Sequence, residues 1–291
     1  MLHIIYNPIA GKGRSARFRE AVENRLAGTN AEYAFHETRG RRDAVKIAQA
    51  LTRGASDYVD IVAMGGDGTL HEVLNGIDDP GRVRLGIIPC GSGNDFAAAA
   101  GIPQTAEGAL DVLLSGEAKY TDYMECSGVR GINAIGTGID VDILRRFNRM
   151  KVLKGAAAYL ASLVMSVLTY KPPCFSELSG GESVPHNAFI ACAGNGRRIG
   201  GGIPICPEAV IDDGMLDLVI IDNIRRAAIP RAFVKLLKGR ILSLPETSFK
   251  RQDQVTIRSD GPMPIQIDGE IYETLPFDVH LVTNKLRIYR P

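Results

Sequence analysis

Across its first 120 residues the chain repeats one pattern: a short apolar run, a turn, then a helix-like stretch. Apolar runs fall at 2–6, 32–36, 59–63 and 85–88, and helical patterns at 14–27, 42–53, 70–76 and 95–100. Alternation of this kind builds a mostly parallel sheet with helices on both faces. Ligands of such sheets collect at the carboxyl ends of the strands. Three glycine-rich loops fall there: Asn7-Pro8-Ile9-Ala10-Gly11-Lys12-Gly13, Gly65-Gly66-Asp67-Gly68-Thr69 and Gly91-Ser92-Gly93-Asn94-Asp95. Three such turns on one sheet edge say far more than any one alone.

The pattern changes near residue 121. Short β-like runs at 187–193, 216–221, 254–258, 264–267 and 278–282 are separated by Gly, Pro and Asp turns. Two helical stretches, 142–170 and 225–238, interrupt them. The expected fold is α/β plus all-β: a three-layer α/β domain over 1–120, rejoined by a strand at 286–289, and an antiparallel β-sandwich over 121–284. With 291 residues the chain can bury a core for each. A net charge of +1 excludes the dominant basic face of a nucleic-acid binder. Five cysteines without CxxC spacing read as reduced thiols in a cytoplasmic protein. The apolar run 152–170 carries Lys154 and stops at Lys171-Pro172-Pro173, so it reads as a buried or surface-lying helix rather than a span.

Each loop carries groups suited to phosphate. Glycines at 65, 66 and 68 allow backbone N–H groups to approach an anion, and the following helix adds a partial positive charge. Asp67 would repel a bare phosphate, so it is expected to face a metal ion or a hydroxyl. Lys12 is a point charge for phosphate in a loop that lacks Walker A spacing. Ser92 can donate to a phosphate or ribose oxygen, whereas Asn94 and Asp95 can equally cap the next helix. Thr38, at the end of the second strand, is a ligand candidate or a plain helix-entry residue. The chemistry suggested is phosphoryl transfer.

Taken together, Asn7-Pro8…Gly11-Lys12-Gly13, Gly65-Gly66-Asp67-Gly68-Thr69…Glu72…Asn75-Gly76 and Gly91-Ser92-Gly93-Asn94-Asp95-Phe96 resemble the diacylglycerol kinase catalytic family, in particular its soluble bacterial lipid kinases. The GGDGT element is shared with NAD kinases and phosphofructokinases; the first and third loops are more specific. The likeness continues through Asn195-Gly196…Gly200-Gly201-Gly202…Pro207-Glu208-Ala209…Asp212-Asp213-Gly214, so it covers nearly the whole chain. It implies an ATP-dependent lipid kinase that phosphorylates a lipid alcohol such as diacylglycerol. ATP would lie against Asn7, Pro8, Ile9, Ala10, Gly11, Lys12, Thr38, Gly65, Gly66, Asp67, Gly68, Thr69, Leu70, His71, Glu72, Ser92 and Asn94. It also implies a structural Mg²⁺ held by the Asp213 carboxylate and the Val210 and Met215 carbonyls, and a general base at Glu270. Asp268 competes for the base role, and a plain Asp-Gly hairpin accounts for both. Asp67 is expected to organise the Mg²⁺ of ATP or the incoming hydroxyl.

A lipid acceptor requires contact with a bilayer. Residues 225–240 carry six basic side chains and no acidic one, interleaved with Ile229, Phe233, Val234, Leu236 and Leu237. Arg145, Arg146, Arg149, Lys151 and Lys154 precede the apolar run 156–168. Basic amphipathic stretches attract anionic headgroups, so peripheral membrane association is expected. Only the resemblance points to a homodimer. The competing readings are an NAD kinase and a nucleotide-binding regulator without catalysis.

Overall fold

A computed structural model describes residues 1–150, 156–179 and 181–291. The first sheet is built from β1 (Leu2–Tyr6), β2 (Tyr33–Glu37), β3 (Val59–Gly65), β4 (Val83–Pro89) and β5 (Ala118–Tyr120). Helices α1 (Ala10–Ala27), α2 (Asp43–Thr52), α3 (Asp67–Gly76), α4 (Asp95–Ala99) and α5 (Ala106–Leu114) connect them. The first four strands pair in parallel in the order β2-β1-β3-β4. β3 is the central one. Ile61, Val62, Ala63 and Met64 are all buried, as expected of a parallel strand covered on both faces. Helix α1 opens with three left-handed residues, Gly11, Lys12 and Gly13, so its regular part starts at Arg14, where the sequence pattern put it. α5 and β5 are additions that the pattern did not announce.

The second domain comprises β6 (Tyr123–Cys126), β7 (Val129–Gly131), β8 (Ala134–Gly138), α6 (Ile139–Arg149), α7 (Ala156–Thr169), β9 (Cys174–Ser179), β10 (Glu182–Gly194) and β11 (Leu216–Asp222). It continues with α8 (Ile229–Leu237), β12 (Thr247–Gln252), β13 (Gln254–Arg258), β14 (Ile265–Ile267), β15 (Glu270–Tyr272) and β16 (Phe277–Val282). Strand β10 folds this sheet onto itself. Its first half pairs with β9, its second half with β8 and β11, and the register to β11 shifts between Ala188 and Ile190. A bulge there bends the strand. The two layers that result enclose Met124, Phe175, Val255 and Val279 from one side and Ile135, Ala191, Leu218 and Ile265 from the other. The all-β reading of this half with two helical interruptions therefore holds, as a sandwich. β11 is apolar on both faces: Leu216, Leu218 and Ile220 point into the sandwich, while Val219 and Ile221 join a second cluster with Ile205, Ala232 and Ile241.

The helical stretch expected over 142–170 is two helices, α6 and α7. Lys151 and Lys154 lie outside the described residues. α6 starts three residues earlier than the pattern suggested, which puts Asp140 in its first turn. Among the described residues no helix is long and apolar enough to cross a membrane.

The chain finally returns to the first sheet. β17 (Arg287–Tyr289) inserts between β4, in parallel, and β5, antiparallel. Leu286 and Ile288 are fully buried in the first domain's core. The Tyr289 hydroxyl donates to Asp60 Oδ1 (2.7 Å), whose carboxylate also receives Arg84.

Candidate active site

The three glycine loops are joined to one another before any ligand is considered. The Asn7 amide donates to the Met64 carbonyl (3.1 Å) and the Cys90 amide to the Gly65 carbonyl (2.7 Å). A Cβ on Gly11 would lie 1.9 Å from the Cys90 carbonyl oxygen, and one on Gly91 would lie 2.6 Å from the Gly66 Cα. One on Gly65 would strike the Thr69 hydroxyl at 2.3 Å. Gly66 thus makes room for the neighbouring loop, and Gly65 for Thr69 of its own turn. Gly68 alone of the three faces open space. The first amides of α3 have no intrahelical acceptor, so they supply the anion-binding end.

Asp67 sits at that helix start, and its Oδ2 accepts the Asn94 amide at 2.7 Å. Burial and the neighbouring Asp95 carboxylate push its pKa up to about 6, against the lowering effect of that amide. No cation lies within ion-pair distance of it among the described residues. Asn94 does not cap α4. Its side chain is spent inside its own loop, on the Gly91 amide and carbonyl and on Gln104. Nor does Asp95 cap it: its Oδ2 accepts the Gly201 amide (2.7 Å), across to the second domain.

Asp268 makes a second cross-domain tie. Its residue is left-handed (φ 50°), and its carboxylate accepts the amides of Ile132 (2.8 Å), Asn133 (2.9 Å) and Ala134 (3.0 Å). His71 Nδ1 lies 3.4 Å from the same carboxylate and its Nε2 3.2 Å from the Tyr272 hydroxyl. His71 is thus buried in the domain contact rather than turned to the nucleotide loops. Glu72 accepts the Arg42 amide (2.8 Å) and fixes the loop before α2. Thr69 and Leu70 are buried in α3, and Thr38 is buried with its amide on the Tyr6 carbonyl. Asn7 Oδ1 accepts the Ile9 amide, and Ile9 itself is exposed at the loop tip with Pro8 and Ala10 beside it.

Glu270 differs from Asp268 in kind. Its side chain is half-exposed and, among the described residues, pairs only with Arg41 of the first domain, at 2.5 Å. The Asp268 lone pairs are occupied by fixed amides, whereas Glu270 needs only to shed one mobile side chain to accept a proton.

A cavity of about 820 Å³ opens beside these groups. Lys12, Asp67, Ser92, Asp95, Asn133 and Asp268 line one end. Ile143, Phe147 and Leu163 from α6 and α7, Phe189 from β10, and Phe233 and Leu236 from α8 line the other. The loops thus bring Lys12, Asp67, Leu70 and Ser92 together at the polar end, and leave Glu270 just outside it, next to Gly269. Asp140 lies on the cavity wall and was missed by sequence reasoning. Its Oδ1 accepts the Val141 amide, and burial pushes its pKa up to about 7 against the lowering effect of that amide and of the Gln266 side chain beside it. The signal was present: Gly138-Ile139-Asp140 follows β8 much as Gly66-Asp67 follows β3.

The acidic turn proposed for a structural Mg²⁺ holds itself together otherwise. Arg251 reaches Asp213 Oδ2 (3.1 Å) and Asp217 (3.0 Å), and Asp213 Oδ1 takes the Met215 amide. Arg290 meets Asp212 at 2.5 Å, and Asp122 accepts the Gly214 amide. Among the described residues no cluster of three or more His, Cys, Asp or Glu is arranged for a metal. Of Val210, Asp213 and Met215, expected to hold Mg²⁺, only Asp213 offers a carboxylate, and Arg251 neutralises it in this structure.

Residues 1–126 match the family described as the diacylglycerol kinase catalytic domain, and residues 133–290 match the YegS C-terminal NAD kinase beta sandwich-like domain. The chain belongs to the diacylglycerol kinase family. A diacylglycerol kinase of Staphylococcus haemolyticus is 30% identical, over 94% of this chain and 83% of that one. A YegS-like lipid kinase of Xanthomonas campestris is 31% identical over 84% of this chain and 82% of its own length. A crystal structure of a diacylglycerol kinase from Bacillus anthracis superposes with a TM-score of 0.76 at 22% identity, covering all of this chain and 96% of that one, which speaks to the fold. The chain is a kinase of this family with a mixed α/β domain and a β-sandwich domain.

Proposed function

We propose that this kinase transfers the γ-phosphoryl group of ATP to the hydroxyl of a lipid alcohol, giving a phosphatidic-acid-type product. The observation that carries the reading is the cavity, lined by polar and acidic groups of the three loops and, apart from Asp140, Gln266 and the Asn133 and Asp268 turns, mostly by apolar side chains. A nucleotide acceptor such as NAD has no use for a pocket walled by Ile143, Phe147, Leu163, Phe189, Phe233 and Leu236. An acyl or prenyl chain does, since burying apolar surface is its main binding energy.

The loop amides and Lys12 would hold the ATP phosphates at the sheet edge. Mg²⁺ arriving with ATP would shield charge on the transferred group. The unpaired Asp67 carboxylate faces the same end and is suited to that ion or to the acceptor hydroxyl. Glu270, freed from Arg41, would take the hydroxyl proton as its oxygen attacks the γ-phosphorus. The bond to the β–γ bridging oxygen breaks and ADP departs. Asp268 and Asp95 position the two domains and take no proton.

Purified protein incubated with Mg²⁺, γ-labelled ATP and, separately, diacylglycerol, monoacylglycerol, a polyprenol and NAD tests this. Label in a lipid product is expected. Label in NAD alone, or in no acceptor at all, overturns the reading.

A further inference from the structure

One acid on the cavity wall has no part in the transfer described above. Asp140 sits in the first turn of α6, is 7% exposed, and lines the cavity together with Gln266, which is 4% exposed. Strand alternation places the second of them. Ile135 on β8 and Ile265 and Ile267 on β14 point into the sandwich, so Ala134, Gln266 and Asp268 face the cavity. Gln266 pairs in register with Gly136 of β8. A Cβ on Gly136 would lie 2.4 Å from Asp140 Oδ2 and 3.0 Å from Gln266 Nε2, so this glycine leaves the room in which the two groups meet.

Local structure does not account for the pair. A helix start favours an acid, but Asp142 already supplies one in the same turn, partly exposed and paired with Arg146. Among the described residues no cation lies within ion-pair distance of Asp140. Its Oδ1 accepts the Val141 amide (2.9 Å), and Gln266 Oε1 accepts the Gly269 amide (2.8 Å). Those bonds leave Asp140 Oδ2 and Gln266 Nε2 turned to the same space. Burial raises the Asp140 pKa to about 7, so its neutral form, which donates through O–H, is populated at neutral pH. Gln266 Nε2 carries two N–H groups, of which Asp140 needs at most one. Buried polar groups without full partners cost stability, which a ligand atom would restore.

The position along the cavity says which atom that would be. Gln266 lies two residues along β14 from Asp268, about 7 Å, and Asp268 opens the turn that carries Glu270. An acceptor whose hydroxyl sits by that turn therefore meets Asp140 and Gln266 only a few bonds further on. In a glycerol ester the polar atom at that place is an ester carbonyl oxygen. We infer that Asp140 and Gln266 donate hydrogen bonds to an ester carbonyl of the acceptor, and so select glycerol esters over lipid alcohols that offer only hydrocarbon or ether beyond the hydroxyl. Both are positioning residues and move no proton. A site built to hydrogen-bond one group rejects the analogue that lacks it, because its own buried groups are then left unpaired. The inference rests on the lipid-kinase reading above.

A short-chain diacylglycerol and a dialkylglycerol ether of equal chain length test it, since they differ only in the carbonyl groups. The kcat/KM of the parent should favour the diester by about tenfold or more. Asp140→Leu, with a parent-like melting temperature, should bring that preference to about threefold or less by lowering kcat/KM for the diester alone. Asp140→Asn keeps an acceptor for the Val141 amide and an N–H donor for the ligand, and should keep the preference. A parent that uses both lipids equally overturns the subsite, as does a Leu variant that retains the preference. Loss of the preference in the Asn variant as well overturns the donor role. Binding of the same two lipids is also measured without ATP, by the rise in melting temperature. Transfer to neither lipid overturns the lipid-kinase reading, and the binding comparison then decides the subsite. Tighter binding of the diester by the parent, lost in the Leu variant, supports it, and equal binding of the two lipids by the parent overturns it.

Discussion

Two acidic turns of this molecule look alike in sequence and differ in every physical respect that bears on chemistry. Asp67 stands between glycines at the end of β3, partly buried, without a cation among the described residues, its pKa pushed up to about 6. Asp213 stands before a glycine ahead of β11, and Arg251 neutralises it at 3.1 Å. Leaving a buried carboxylate unpaired costs stability, and folds tolerate that where the charge is needed for a ligand. A carboxylate already matched by a guanidinium holds the chain together. The same contrast separates Glu270, held by one exposed arginine, from Asp268, held by three backbone amides. Function is expected where the acid is under-satisfied, and architecture where it is saturated.

The sharpest way to break this comparison is to remove one acid of each kind. Asp67→Ala should cut kcat by about a thousandfold or more, with little change in melting temperature. Near-parent turnover would remove Asp67 from the chemistry. Asp268→Ala should act on the fold instead. It orphans the amides of residues 132–134, and denaturant titration should show a loss of about 3 kcal/mol.

A pH experiment sharpens the Asp67 side. Its folded-state value is about 6 against 3.8 for a free carboxyl. The native state therefore binds more protons between those values, and stability falls as pH rises from about 4 to 6. Asp67→Asn should remove that slope and leave the variant more stable than the parent at pH 8 by up to about 3 kcal/mol, with no gap below pH 4. Kinase activity of the parent should rise with pH through the same region as Asp67 ionises. A profile flat from pH 5 to 8 would contradict the assigned role. The smallest effect is expected at the other turn. Asp213→Ala should cost about 0.5 kcal/mol, and a chelator should not move the melting temperature of the nucleotide-free protein. A drop of several degrees on adding chelator would restore a structural metal there.

The sequence made the first domain legible because parallel βα units announce themselves locally, each with an apolar run, a glycine turn and a helix start. The three loops could be placed on one edge without knowing any distance. What the loop glycines do was not legible, since Gly11 and Gly91 are fixed by neighbours many residues away. In the sandwich, the runs were visible but not the double duty of β10, because nothing local marks the strand that turns a sheet over. The cavity was invisible for the same reason. Its walls come from α6, α7, α8 and strands between residues 132 and 269, and each apolar residue there reads as ordinary core. Asp140 is not legible as a site residue because the helical pattern over 142–170 starts after it.

The insertion of β17 between β4 and β5 gives the molecule the logic of a clasp. The chain leaves the first domain at residue 120 and fastens it again at Ile288, after the whole sandwich has been traversed. In the order of synthesis β17 comes after the whole sandwich, so the β4 edge lacks this partner until the sandwich has been made. The loops that would hold a nucleotide and the cavity that would hold its acceptor are therefore finished together, and a half-made chain has no completed sheet on which to hold one without the other.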